Sequence, residues 1–270
     1  MRPSSLAAGV YFGRPETQRV VGALTLCRTS YAPRQQIPEH AHDAGYLCLA
    51  LCGSFRERAG RAEEEVAAGA AVLHRPGERH ADHFGAQPSS CLNVSFAPAW
   101  LERAGALLAD GGRALYAPPG AVAPLVAKLA REYELLDEAS QLAIEALTLE
   151  LLAFFLRASR RTERRPPEWM RATVEQLHCE ERTSLGALAR AAGVHPSTLA
   201  RVFRRFQGCS LGEYRRRARL ARALEALGTS TAPLAEIAVQ TGYADQSHLT
   251  RVMRAALGVG PAAYRRAVRG

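Results

Sequence analysis

Leu185-Gly-Ala-Leu-Ala-Arg-Ala-Ala-Gly193 returns in altered letters as Leu234-Ala-Glu-Ile-Ala-Val-Gln-Thr-Gly242, an offset of 49. One residue is then added to the turn. Leu199, Arg201, Val202, Arg204, Gly208, Tyr214 and Arg215 match Leu249, Arg251, Val252, Arg254, Gly258, Tyr264 and Arg265 at an offset of 50. Leu or Ile, Ala and Gly at these spacings describe a short helix, a tight turn at the glycine and a second helix. The small Ala189 and Ala238 let the two helices approach closely. One copy would describe many helical hairpins; two copies specify a helix-turn-helix unit written twice.

The charge distribution supports a polyanion partner for this half. The chain has 270 residues and a formal net charge of +9. Residues 1–158 hold 15 Lys+Arg against 17 Asp+Glu, whereas residues 159–270 hold 20 against 9. Nearly all the positive charge is arginine, Lys128 being the single lysine. A near-neutral half joined to a basic half reads as a module for another task coupled to a nucleic-acid binder.

In a helix-turn-helix unit the second helix enters the major groove. The spacing predicts that helix over about 195–206 in the first copy, with Leu199, Val202, Phe203 and Phe206 inward and Ser197, Ala200, Arg201, Arg204 and Arg205 outward. In the second copy it starts at Ala244 or Asp245. Leu249, Val252, Met253 and Leu257 then turn inward, and Gln246, Ser247, Thr250, Arg251 and Arg254 outward. Arginine bonds guanine bidentately and glutamine adenine, each pair giving roughly 1–3 kcal/mol of discrimination. Arg201 and Arg251 recur at one place in both copies and read as base contacts. Arg204, Arg205, Arg254, Arg265 and Arg266 read as phosphate contacts or a solvated face. Asp245 and Thr229 or Ser230 read as helix caps. Between the copies, Leu211–Leu227 predicts a long helix, part of whose arginine set, Arg215 included, meets phosphates. Its length would hold the two reading helices about one DNA turn (roughly 34 Å) apart.

Upstream, short apolar or alternating runs broken by Gly, Pro and Asp occupy residues 18–96: Val20–Cys27, Tyr46–Leu51, Gly69–Leu73 and Cys91–Phe96. They predict an all-β sandwich or barrel. Residues 99–158 switch to helical spacing. Leu125, Leu129, Glu132, Tyr133 and Leu136 share one helix with Pro124 in its first turn, and Ile144, Leu147, Leu151, Phe154 and Phe155 form a second stripe. Ser159-Arg-Arg-Thr-Glu-Arg-Arg-Pro-Pro167 has charge, a Pro-Pro pair and no apolar anchor, as a domain linker does. The expected organisation is a sensing domain over 1–115, a helical connector over 116–158, a linker over 159–167 and a DNA-binding domain over 168–270.

No apolar run reaches a bilayer span: Leu142–Leu156 carries Glu145 and Glu150. Leu6–Phe12 is too short for a signal peptide, so the expected compartment is the cytoplasm, with no membrane partner. Cys27, Cys48, Cys52, Cys91, Cys179 and Cys209 contain no C-x-x-C pair and read as small buried apolar residues.

Residues 168–270 resemble the C-terminal domain of AraC/XylS-type transcriptional regulators. Leu185–Gly193, Leu199–Phe206, Gly208–Tyr214, Ile237–Tyr243, Asp245–Arg251 and the closing Leu257-Gly-Val-Gly-Pro-Ala-Ala-Tyr264 carry the likeness. Carried over by position, the family's base-reading sites fall on Ser197, Ala200 and Arg201 in the first unit and on Gln246, Ser247, Thr250 and Arg251 in the second. Ala200 departs from the polar residue often found there, so the first helix is expected to specify fewer bases. Over residues 18–96, His40-Ala-His42, then a strand and Gly53, then Gly69 and Arg75-Pro-Gly-Glu-Arg-His80 resemble the half-motifs of cupin barrels, and equally the cupin-like sensor of many AraC-type regulators.

H-x-H on a strand puts both rings on one face, which suits a metal. Tyr46 stands where the cupin resemblance expects a glutamate, so His40, His42 and His80 are the largest metal set left. His83 is a spare donor on a nearby turn. Cys48 shares the parity of His40, His42 and Tyr46 and could offer a soft ligand to the same cavity. The competing reading, favoured here, is an organic-effector pocket lined by His40, His42, Tyr46, Cys48 and His80 with no cofactor. Tyr46 and Arg75 or Arg79 would then serve an anionic or phenolic molecule. The implied fold is multidomain: a cupin-like barrel, a helical connector and an all-α domain with two helix-turn-helix units. The implied function is an effector-controlled, sequence-specific transcription regulator, not an enzyme. Its implied partners are double-stranded DNA, a small-molecule effector, RNA polymerase if it activates, and a second copy through the 121–158 helices. Two rivals are a metal-dependent cupin enzyme with a DNA-binding tail and a low-specificity architectural DNA binder.

Overall fold

The computed structural model describes residues 5–60, 62–97, 114–161, 167–179 and 183–269. Eleven strands in this set form two sheets. One has the order β1-β4-β9-β6-β7, with β1 Ser5–Leu6, β4 Gln36–His42, β6 Ser54–Ala59, β7 Ala62–Ala67 and β9 His80–Phe84. The other has the order β11-β8-β5-β10-β3-β2, with β2 Arg14–Val21, β3 Leu24–Tyr31, β5 Tyr46–Cys52, β8 Ala71–His74, β10 Ser89–Phe96 and β11 Leu115–Ala117.

The six-stranded sheet is covered on both faces, which is why β5 and β10 read as continuous apolar runs. Along β5 the period of two divides the side chains: Leu47, Leu49 and Leu51 face the helices, while Tyr46, Cys48 and Ala50 face the space between the sheets. Helices α1 (Pro119–Leu135) and α2 (Ser140–Arg161) close the first face through Val122, Val126, Leu129, Ile144, Leu151 and Phe155.

Several boundaries differ from expectation. The Val20–Cys27 run is two strands, β2 and β3, folded at Gly22. Gly69 lies in the turn before β8. α1 begins five residues before Pro124, so the proline sits inside the helix and removes one intrahelical bond. α2 runs through Arg161 and takes in the start of the expected linker, of which 162–166 lie outside the described residues. The helical reading at 99–113 also falls almost wholly outside them.

The C-terminal half is helical as expected: α3 Glu168–Cys179, α4 Leu185–Ala191, α5 Pro196–Gln207, α6 Leu211–Thr229, α7 Leu234–Gln240, α8 Gln246–Leu257 and α9 Pro261–Arg269. The turns after α4 and α7 place Gly193 and Gly242 at φ +66° and +86°, a region that penalises any side chain with a Cβ. Side-chain caps fix the starts of α4, α6 and α8, whereas α7 follows Pro233 without one. Ser184 accepts from Ala187 N, Ser210 and Glu213 form a reciprocal capping box, and Asp245 accepts from His248 N at 2.7 Å. Ser230 is the C-cap of α6, and Thr229 bonds back to Glu225 O. The two units keep separate cores. One forms around Leu188, Leu199, Phe203 and Tyr214, the other around Ile237, Leu249, Met253 and Tyr264.

α6 lies along α1. Gly120 of α1 sits under the Tyr214 ring, and Arg217 Nη1 donates to Ala121 O at 2.8 Å. Gly69 of the β domain meets both Ala123 of α1 and Ala221 of α6. No helix among the described residues is long and apolar enough to cross a membrane.

Candidate DNA interface and sensor site

β4 and β9 pair antiparallel with His40 opposite His80, and the alternation along β4 turns His42 to the same interior face. The three rings converge, with centroids 4.3 Å apart for His40–His80, 5.1 Å for His40–His42 and 5.7 Å for His42–His80. One nitrogen of each lies within 4.8 Å of the others, and all three side chains are buried. Burial is the main force on their protonation. It lowers His40 and His80, takes His42 down to about 3, and neighbouring imidazoles push the same way. All three are therefore neutral at pH 7. His40 Nδ1 lies 2.9 Å from Pro38 O, as a donor to that carbonyl, which leaves Nε2 with its lone pair.

Tyr46, at the position where a glutamate was expected, puts its hydroxyl 3.3 Å from His80 Nε2. Cys48 lines the same cavity but is not one of the converging donors. Contact with Cys91 and burial both raise its thiol, which keeps it protonated. His83 is on β9, not on a turn, and is exposed, because its parity is opposite to that of His80. Arg79 is exposed and bonded to Glu39, and neither it nor Arg75 lines the cavity.

Sequence reasoning passed over His74, Glu57 and Asp82, which complete the wall. His74 Nε2 lies 3.3 Å from Glu57 Oε2, and both side chains are buried. Burial alone would lower His74, but Glu57, Glu78 and Asp82 outweigh it and raise the imidazole. Asp82 is pushed up to about 8 by burial and by Glu57. His74 shares β8 parity with inward Val72, a signal available in sequence; Glu57 and Asp82 lie on strands that no run announced.

Tyr11 and Phe12, from the segment ahead of β2, line the cavity as well. Tyr11 packs on His42 and Tyr46, and Phe12 edge-on to His40. What remains is a cavity of about 20 Å³.

In the basic half, α5 and α8 present corresponding outer faces. Ser197, Arg201, Arg204 and Arg205 are exposed on α5, as are Gln246, Ser247, Arg251 and Arg254 on α8; Ala200 and Thr250 are half-buried. The Ser197 hydroxyl is held at 2.7 Å by His195 Nδ1, and Thr250 Oγ1 donates to Gln246 O at 2.8 Å. Two arginines assigned to phosphates sit elsewhere. Arg215 is half-buried and donates to Thr183 O, ahead of α4. Its counterpart Arg265 donates to Ala232 O at 2.7 Å, ahead of α7. The matched pair ties each unit's entry loop to its core.

Residues 188–267 match the family model of a helix-turn-helix domain, and residues 24–152 match that of an AraC-like ligand binding domain. The chain is 32% identical over 90 residues to the probable transcription factor PqrA of Proteus vulgaris, which covers 33% of this chain and 74% of that protein. The chain belongs to the AraC/XylS family of transcriptional regulators. The regulatory protein SoxS of Salmonella typhimurium is a second AraC/XylS relative, 33% identical over 88 residues, covering 33% of this chain and 82% of that protein. Among solved structures, ToxT from Vibrio cholerae aligns over 92% of this chain and 99% of its own at 10% identity and a TM-score of 0.41. As an AraC/XylS regulator the chain binds DNA through its helix-turn-helix half and carries a ligand-binding domain for a small effector ahead of it.

Proposed function

We propose that the chain reads an operator with α5 and α8 and that the ligand it senses inside the β domain is a divalent transition-metal ion held by His40, His42 and His80. The convergence of three buried, neutral imidazoles carries this reading. The cavity supports it as well. About 20 Å³ accommodates an ion or one water, whereas organic-ligand pockets run to hundreds of Å³. Three imidazoles with one open position suit Zn²⁺ or a neighbouring first-row ion, with the donors closing around it. The bound ion would supply positive charge and a fixed geometry linking β4 to β9. His40 is already oriented by Pro38 O, as such ligands usually are by a second partner. The Tyr46 hydroxyl would give up His80 Nε2.

On the reader, Arg201, Gln246, Ser247 and Arg251 contact base edges with Ser197, Ala200 and Thr250 beside them, and Arg204, Arg205 and Arg254 meet phosphates. A second copy docks on the α2 face that leaves Leu142 and Leu149 exposed, one heptad apart.

Metal content per chain tests the sensing step, on the wild type and on a His40→Ala/His42→Ala double variant. Near-stoichiometric metal in the wild type, lost in the variant, is expected. A wild type that stays metal-free after metal is supplied overturns it and favours an organic effector that displaces Tyr11 and Phe12.

A further inference from the structure

A second and larger cavity, of about 200 Å³, lies where the β domain and α1 meet the last helix of the reader. Its apolar wall is built by Leu51 of β5, Ala130 and Leu135 of α1, Val259 in the turn before α9, and Ala263. It is about ten times the volume between the sheets. It also exceeds the roughly 150 Å³ at which an apolar cavity takes up a benzene-sized molecule.

The charged groups at its edge are already neutralised. Arg28 is committed to Glu16 at 2.9 Å, to Glu134 at 3.0 Å and to Ser90 Oγ at 3.3 Å. Arg131 faces Glu132 at 3.6 Å and Leu257 O at 3.5 Å. Three carboxylates against two guanidiniums leave no surplus positive charge for an anion, and each carboxylate already faces a guanidinium, so none is free to take a cation.

Two hydrogen-bond donors stand beside the cavity. Arg131 Nε is buried with no partner among the described residues. Tyr264, 5% exposed, is part of the wall, and burial pushes its phenol well above the ordinary range, so the hydroxyl stays a protonated donor. A buried tyrosine hydroxyl ordinarily finds a partner, and an unsatisfied buried donor is costly.

We propose that this cleft binds a compact, uncharged molecule of about ten non-hydrogen atoms with an apolar body and one hydrogen-bond acceptor, the acceptor taking the Tyr264 hydroxyl. The walls come from the sensing half (Leu51, Ala130, Leu135) and from the reader (Val259, Ala263, Tyr264). The molecule therefore binds only while the two are docked, and shifts the chain toward the docked arrangement. The site is separate from the three histidines and stands whether or not they hold a metal.

Cyclohexyl methyl ketone is the probe, against cyclohexanecarboxylate and cyclohexylammonium as charged analogues of the same body. Each is titrated into the full-length protein, with binding read by saturation-transfer NMR and by thermal melting. The ketone is expected to bind and raise the melting temperature, and the two ions to bind at least tenfold more weakly. Tyr264→Phe should weaken the ketone about tenfold. Ala263→Leu, at an exposed position of the lining, should abolish binding without threatening the fold, and Ala130→Leu should fill the cavity from the buried side. His40→Ala/His42→Ala should leave ketone binding unchanged. Failure of the wild type to bind the ketone, equal binding by Ala263→Leu, or equal or tighter binding of either ion overturns the proposal. Loss of ketone binding in the histidine variant overturns it too, because the site would then be the sensor cavity.

Discussion

Gly120→Ala puts the docking of sensor on reader to a direct test. In a helix this substitution ordinarily stabilises, by up to about 1 kcal/mol, because alanine loses less backbone freedom. At position 120 the added Cβ would sit 2.5–2.7 Å from three carbons of the Tyr214 ring, about 1 Å inside ordinary contact. The ring has nowhere to go. It is fully buried and packs edge-on against Phe203 at 5.4 Å. Overpacking of this kind costs about 1–3 kcal/mol. Set against the helix gain, Gly120→Ala should be destabilising by about 0–3 kcal/mol. Gly212→Ala is the control. It lies in α6 itself, is exposed, and its Cβ would find nothing closer than Arg216 Nη1 at 3.6 Å, so it should show the ordinary gain. The difference between the two variants in urea unfolding should be about 1–3 kcal/mol, the cost of the clash alone. Limited proteolysis should also cut Gly120→Ala faster between the halves. Equal stabilisation by both substitutions would show that Tyr214 does not press on α1, and the docking described above would be wrong.

Arg201→Ala or Arg251→Ala should lower affinity for the cognate operator by roughly 1–3 kcal/mol and relax base preference at one position, read by selection on randomised sites. An unchanged footprint and sequence preference would remove that arginine from the reading set. Arg204→Ala and Arg254→Ala should each flatten the dependence of log K on log salt by about 0.9. Arg215→Ala and Arg265→Ala should instead leave that slope nearly intact and cost about 1–2 kcal/mol of stability, because their guanidiniums hold Thr183 O and Ala232 O. With metal chelated, stability should fall as pH drops below 6.5. The unfolded chain protonates His42 at that point, whereas the folded chain holds it neutral down to about 3. Each such histidine contributes a slope of up to about 1.4 kcal/mol per pH unit across that window, and His42→Gln should remove one histidine's share in acid titrations followed by circular dichroism.

The helical half was legible because its signals are local and repeated: apolar spacing, turn glycines and caps occur twice in register. Charge alone did not separate the arginines that hold the fold from those that face outward. Arg215 and Arg265 match across the copies because each ties down an entry loop, and a structural need repeats as faithfully as a DNA contact. In the β domain, β5 and β10 stood out because both faces are covered and the runs are unbroken. β2, with Arg-Pro-Glu-Thr-Gln-Arg largely exposed, and β7, with three consecutive glutamates, are held by pairing with neighbours rather than by apolar pattern. Without β9 as a strand, the parity that separates inward His80 from outward His83 was not visible. Nor could spacing show that Tyr11 and Phe12 fold back over the histidines, since that contact spans about thirty residues of chain.

The arrangement also implies where a signal leaves the sensor. α1 is buried on one side in the β-domain core, and on the other it meets α6, the helix that spaces the two reading helices. Nineteen residues at the standard rise make α6 about 28 Å long, comparable to one turn of DNA. Arg131 of α1 also reaches Leu257 O at the C-terminal end of α8. A displacement of α1 therefore acts on the spacer and on the second reading helix together, and need not pass through the 162–166 connection. On the operator reading proposed above, such a displacement would alter whether α5 and α8 can sit in successive major-groove segments, while each helix would keep its own base contacts. An effector acting by this route should change affinity for two-segment operators much more than affinity for a single half-site. Binding assays on full and halved operators, with and without effector, measure that ratio. An equal effect on both would place the coupling inside one reading unit and not in the α1–α6 contact.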